Sequence, residues 1–227
     1  MAQCSFKDPL KDFDWSGLYA SYDGMCRGFD PESSLLAPFE PARPPGDRAL
    51  YYKLTAAFRA IRSSSRDDAA MIYGAMLYWK LYSQHILDGK ILDWAQRWGA
   101  SFGRLVATLP ATVERRPQEI VKVATDKCFC LPGMKSGIAV RATVLHFLYP
   151  DVVPLFDRMV LRAVAIDSEA ASRDRRVFEE YIPHAWSLAG KYRQECSQFR
   201  QETPLRVIDM ALWANRGRSP ATAALPW

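Results

Sequence analysis

With 227 residues, 49% of them apolar and 24% charged, the chain has an ordinary globular composition, which excludes wholesale disorder and a coiled coil. A net charge of +5 fits a nucleic-acid partner without requiring one, because neutralising phosphates is the main source of such affinity. No stretch approaches the roughly 18 uncharged apolar residues that span a bilayer, and Met1 to Asp8 lacks the apolar core of a signal peptide, so a cytoplasmic protein with no membrane partner is expected.

A single domain over residues 1–227 is the organisation this length most readily supports. From Arg27 to Asp47, Pro31, Pro38, Pro41, Pro44 and Pro45 remove so many N–H donors that neither a long helix nor a central strand fits. The segment 27–47 is therefore read as a surface wrap, packed onto the body through Phe29, Leu35, Leu36 and Phe39. Helical periodicity follows: Leu50, Leu54, Phe58 and Ile61 share one face, and Ile72, Met76, Trp79 and Ser83 continue the spacing in a second helix. Ile91, Trp94, Trp98, Phe102 and Leu105 mark a third helix that ends before Pro110, and Pro117 opens a short fourth through Val121 and Ala124. Val177, Tyr181, Ala185, Leu188, Tyr192, Cys196 and Phe199 predict a long helix that Pro183 kinks or divides. Thr203 caps a last helix, with Pro204 at its first position, Leu205, Ile208 and Leu212 turned inward and Gly217 near its end. Residues 218–227 are expected to form a loose tail. Strand-type alternation is nearly absent, so the predicted fold class is all-α.

Five cysteines, Cys4, Cys26, Cys128, Cys130 and Cys196, do not make a disulfide framework, and their apolar neighbours suit reduced thiols. Cys128-Phe129-Cys130 is too little for a structural zinc or iron–sulfur site, which needs about four soft ligands. The histidines His85, His146 and His184 lie far apart in sequence. No metal and no cofactor are expected.

The chemistry is expected between residues 131 and 162. Leu131-Pro132-Gly133-Met134-Lys135-Ser136-Gly137 is a tight turn between two helical patterns, the second running through Ala142, Leu145 and Leu148. Its glycines allow close backbone approach, and the N-terminus of the second helix offers N–H groups that suit a phosphate oxygen. Further on stands Leu155-Phe156-Asp157-Arg158-Met159-Val160-Leu161-Arg162. An aspartate at such a helix start is first of all an N-cap.

Over residues 117–166 this order of hairpin, helix, aspartate and arginine resembles the helix-hairpin-helix DNA glycosylase superfamily. The resemblance implies DNA as partner, the hairpin 131–137 as the DNA-binding element, and Asp157 as the catalytic carboxylate, with Arg162 matching the superfamily's arginine. The spacing from hairpin to aspartate is about two residues longer than in its commonest members. Lys135 replaces the usual second hairpin glycine, and Gly137 stands where bifunctional members carry a Schiff-base lysine, which implies a monofunctional enzyme. The four-cysteine cluster of some relatives is missing, so no iron–sulfur cofactor is implied.

Breaking an N-glycosidic bond builds positive charge on the sugar, so a fixed carboxylate beside the anomeric carbon stabilises the transition state and orients or deprotonates a water. The base must first be flipped from the stack, which calls for aromatic or polar pocket residues. Tyr78, Trp79 and Gln84 are the pocket candidates, among aromatics that also include Trp94, Trp98 and Trp213. The predicted function is removal of a damaged or modified base, in repair or in defence against phage with modified DNA, by a monomeric enzyme. The alternatives are a non-enzymatic DNA-binding module and a helical protein-interaction domain. His146 is expected to be a hydrogen-bonded core group, Trp213 and Asp209 to dock the last helix, and Arg173, Arg175 and Arg176 to form a solvated face.

Overall fold

All regular structure among the described residues is helical. The computed structural model describes residues 4–26, 29–30, 33, 35, 46–63, 65–81, 88–127, 137–166 and 170–216. Their contacts divide into two compact units, one drawn from residues 1–25, 113–125 and 136–227 and the other from 26–112 and 126–135.

The second of these contains α2 (Asp47–Ala60), a 3-10 turn at Ile61–Ser63, α3 (Arg66–Leu81) and α4 (Asp88–Thr108). The predicted face of α2 is buried at Leu50, Leu54 and Phe58, and Ile61 continues it. α3 and α4 run antiparallel at very close range. A Cβ built on Gly99 would lie 2.3 Å from the Ala70 Cα, and one on Gly74 would lie 3.0 Å from the Ala95 Cβ. Tyr73 stacks on Phe102 at 4.8 Å, and Phe58 meets Phe102 edge-on at 6.0 Å. The Arg62 guanidinium donates to the carbonyls of Leu109 (3.0 Å) and Pro110 (2.5 Å), so it satisfies acceptors just past the end of α4.

One sequence expectation is corrected in α4. Trp98 is 38% exposed, and the buried face runs through Ile91, Ala95, Phe102, Leu105 and Val106. Small residues win the face because the backbone of α3 approaches too closely for indole rings. In the segment 27–47, Leu35 is buried and Phe29 meets Tyr78 at 5.6 Å, in keeping with a packed wrap; Leu36 and Phe39 lie outside the described residues, as does the tail 218–227.

The other unit contains α1 (Leu18–Met25), α5 (Pro117–Ala124), α6 (Ile138–Leu148), α7 (Arg158–Ala163), a 3-10 turn at Ala171–Arg173, α8 (Arg175–Lys191), α9 (Arg193–Cys196) and α10 (Pro204–Asn215). α6 is buried from Ala142 to Phe147, and α10 from Leu205 to Leu212, so each is an interior helix with neighbours on several sides. α10 packs on α1, α7 and α8. Thr203 caps α10 as predicted: its oxygen accepts from the Arg206 N–H at 3.2 Å, while its hydroxyl donates to the Pro150 carbonyl at 3.2 Å. His146 is fully buried, with Nδ1 at 2.6 Å from the Val153 carbonyl. A carbonyl only accepts, so Nδ1 carries the proton.

Pro183 does not divide the predicted long helix at its own position, because α8 runs through it to Lys191. The carbonyl deprived of a donor belongs to Glu179, which is half-exposed and open to solvent. The division comes at Tyr192 (φ −102°, ψ 31°), which separates α8 from α9. There the Asp8 carboxylate accepts from both the Lys191 ammonium and the Tyr192 hydroxyl.

Asp8 belongs to an N-terminal strap. The Cys4 N–H donates to Glu180 (2.7 Å), the Lys7 N–H to the Val164 carbonyl (3.1 Å), and the Asn215 amide to the Pro9 carbonyl (2.8 Å), with Leu10 fully buried. Burial acts to raise the Asp8 carboxyl, but Lys191, the Leu10 N–H and Tyr192 together hold it below its ordinary value. A carboxyl depressed in the folded state contributes stability above its unfolded pKa and loses it as pH falls through the folded one. The melting temperature of Asp8→Asn should therefore lie below wild type at neutral pH, and the gap should close only as pH falls below about 4. Thermal melts of both proteins across that range check this.

Candidate functional site

Asp157 is placed by the buried segment before it and the helix after it. Pro154, Leu155 and Phe156 are buried, and the Phe156 ring lies 4.9 Å from Phe178 and 5.6 Å from Tyr181. Asp157 then adopts extended backbone (φ −156°, ψ 176°) and caps α7, with Oδ1 accepting from the Val160 N–H at 2.9 Å. The residue is half-buried, and its carboxylate is held through Oδ1.

The far end of α7 is closed as firmly. Ala165 takes the left-handed conformation (φ 70°), its N–H donates to Arg162, and the Ile166 N–H reaches back to Leu161. This is the paired-bond ending typical of a left-handed cap. The strap's Lys7 N–H takes the Val164 carbonyl. Arg162, in the last turn of α7, is half-buried.

Of the predicted hairpin, Leu131, Pro132, Gly133, Met134, Lys135 and Ser136 lie outside the described residues. Gly137 is the N-cap of α6, in extended backbone that any residue adopts. A Cβ there would meet the flexible Arg173 side chain at 3.3 Å. Arg173, Arg175 and Arg176 are exposed, as expected, although Arg176 also pairs with Glu180 at 2.8 Å.

The pocket candidates fare differently. Gln84 lies outside the described residues, while Tyr78 and Trp79 are core groups of the second unit, 3% and 7% exposed. The Tyr78 hydroxyl donates to the Asp30 carbonyl and accepts its N–H, and Trp79 packs on Tyr51 at 5.9 Å. Stacking on a base would require either ring to leave this packing. Trp94 and Trp98, on α4, retain exposed surface, with Lys90 5.2 Å from the Trp94 ring. Trp213 docks α10 as expected, 6.4 Å from Tyr22 and capped by Arg216 at 4.0 Å.

Tyr181, Arg206 and Asp209, in the same unit as Asp157, carry little sequence signal for the part they play. Arg206, fully buried, pairs with the Asp209 carboxylate and donates to the Tyr22 hydroxyl at 2.9 Å. Tyr181, 1% exposed, has its phenol held well above its ordinary pKa by burial and by the carboxylates of Asp209 and Asp157. Residues spaced three apart on α10 can meet, and that is the one hint the sequence offered for Arg206 and Asp209.

A separate cleft of about 490 Å³ in the same unit is lined by Cys4, Phe6, Pro117, Arg176, Glu180 and Pro183 among others, and Asp157 is not part of its lining. The Cys4 thiol there is pushed up by burial and by Glu180, which disfavours a nucleophilic thiolate. Cys196 is buried, and its thiol is pushed up to about 11. Among the described residues no group of three or more His, Cys, Asp or Glu is placed to hold a metal ion, and no helix is long and apolar enough to cross a membrane. No protein-family model matches this sequence, and neither a curated protein nor a solved structure matches the chain.

Proposed function

We propose that this chain is a monofunctional, helix-hairpin-helix DNA glycosylase-like enzyme that acts as a monomer and hydrolyses the bond between sugar and a flipped-out damaged or modified base. The observation that carries the reading is Asp157: a half-buried carboxylate held at 2.9 Å by the Val160 N–H, at the head of a short helix closed at both ends. A carboxylate fixed in this way stabilises positive charge developing on a sugar and positions a water without first reorganising. α5, the Leu-Pro-Gly segment, α6 and Asp157 also follow one another in the order the resemblance requires. The net positive charge supplies general attraction to phosphates.

The substrate is a lesion met in repair or a modified base in phage DNA, and the test distinguishes them. Abasic-site formation is measured on unmodified, lesion-bearing and phage-modified DNA, with alkali cleavage to score base loss. Asn caps helices as well as Asp does, so Asp157→Asn removes the charge and keeps the cap. Base loss on at least one substrate, falling about a hundredfold or more in Asp157→Asn, is the expected result. Salt-sensitive DNA binding without base loss, unchanged in Asp157→Asn, would favour a DNA-binding module. Absence of DNA binding would favour a protein-interaction domain.

A further inference from the structure

In the unit that holds α2, α3 and α4, one side of α4 has a composition unlike that of an ordinary solvated helix. The inner side, through Ile91, Ala95, Phe102 and Val106, is buried. Beside it run Lys90, Trp94, Arg97, Trp98, Ser101 and Arg104, linked by steps of three and four and therefore neighbours along one row. Lys90, Arg97, Trp98 and Arg104 are exposed, and Trp94 and Ser101 are half-buried.

Leaving an indole in water forgoes the burial that its large apolar ring would gain. Trp98 is nevertheless 38% exposed, and among the described residues no ring or cation lies against it. Trp94 has only the Lys90 ammonium over its ring, at 5.2 Å. The cations are as little engaged. Arg97 pairs with Asp93 at 2.7 Å, but both side chains are well exposed and such a pair is weak. Arg104 donates to the Ser101 hydroxyl at 2.9 Å, and neither it nor Lys90 meets a carboxylate among the described residues. Three cations and two indoles thus stand in one row, with Asp93 as the acid beside them.

The arrangement selects its partner by charge and by shape. Cations in a line suit phosphates, and indoles four residues apart stand about 6 Å apart along the helix, so each offers a separate flat face. Base faces are open to stacking where a strand is unpaired, whereas in a duplex neighbouring bases cover them. An anionic membrane fits less well, because the row holds no aliphatic side chain to sink among acyl chains. Leu92, the exposed leucine of α4, is two residues from both Lys90 and Trp94 and so points away from the row.

We propose that the row from Lys90 to Arg104 on α4 is a binding face for an unpaired nucleic-acid strand: Trp94 and Trp98 stack on bases, and Lys90, Arg97 and Arg104 take the phosphates. This goes beyond the glycosylase reading and does not rest on it, since neither Asp157 nor residues 131–137 take part.

The test is the binding of a fluorescent oligothymidine of about 16 nucleotides, followed by anisotropy, beside its duplex and beside phosphatidylserine vesicles. Trp98→Ala should weaken single-strand binding about tenfold and leave any duplex binding unchanged. Lys90→Gln with Arg104→Gln should reduce the slope of log affinity against log salt by about 1.4, the share of two phosphates on a single strand. Asp157→Asn should bind the oligothymidine as wild type does. No single-strand binding, a Trp98→Ala loss shared equally by the duplex, or affinity confined to the vesicles would overturn the proposal. Should Trp98→Ala fail to fold, the double glutamine variant, which changes only exposed side chains, decides by its salt slope. Base release without single-strand binding refutes this proposal and spares the glycosylase reading; single-strand binding through α4 without base release does the reverse.

Discussion

Arg206→Met should destabilise the unit that holds Asp157 by about 3–5 kcal/mol, the usual consequence of stranding one partner of a buried ion pair. The guanidinium is fully buried, meets the Asp209 carboxylate, donates to the Tyr22 hydroxyl at 2.9 Å and lies 4.9 Å from the Tyr22 ring. Methionine fills similar space but leaves Asp209 charged at 4% exposure. Domains are stable by only about 5–15 kcal/mol, so the loss is a large share of the total. Arg206→Met with Asp209→Leu should recover most of it, since well-packed apolar replacements of buried pairs are often neutral or better. Urea unfolding followed by circular dichroism checks both. A single variant as stable as wild type would mean that the pair contributes no net stability.

The second large effect is expected at Gly99, and its sign is the test. Helix propensity alone predicts that Gly99→Ala gains about 1 kcal/mol. The added Cβ, however, would sit 2.2 Å from the Ala70 Cβ and 2.3 Å from its Cα, and a backbone atom does not swing aside. α3 and α4 must separate, and Gly74 against Ala95 and Gly103 against Ala69, at 3.0 and 3.1 Å, lose their fit with them. A net loss of about 2 kcal/mol or more is expected, because overpacking a close contact outweighs propensity. Gly89→Ala in the same helix, where a Cβ would meet nothing within 4 Å, should instead stabilise by a few tenths to about 1 kcal/mol. Unfolding curves of the two variants should shift in opposite directions; a shift in the same direction would refute the close-packing argument.

The parts of the fold legible in the sequence are those governed by local chemistry. Thr203 and Pro204 fix the start of α10, Pro117 opens α5, and Asp157 caps α7, because caps and prolines act within one turn. What was not legible depends on neighbours distant in sequence. Trp98 follows the apolar spacing of α4 yet faces outward, since the choice between Trp and Ala was made by the proximity of α3. Pro183 is tolerated because Glu179 stands near solvent, and Tyr192 ends α8 beside a contact from Asp8. At the head of α7 the Asp157 cap was legible, whereas the burial of Arg206 as the partner of Asp209 was not. An arginine and an aspartate three apart on a helix suggest a surface pair, and nothing local reveals that α1, α7 and α8 cover them.

The strap also sets an order of events during synthesis. The Cys4–Glu180, Asp8–Tyr192 and Pro9–Asn215 bonds join residues 176, 184 and 206 positions apart. The strap leaves the ribosome well before its partners. α3 and α4 are adjacent in the chain and can zip together early, whereas the unit around Asp157 has to wait for α10. Until then its apolar helices are a nascent chain's exposed surface, so this half of the molecule is the one on which a chaperone would act.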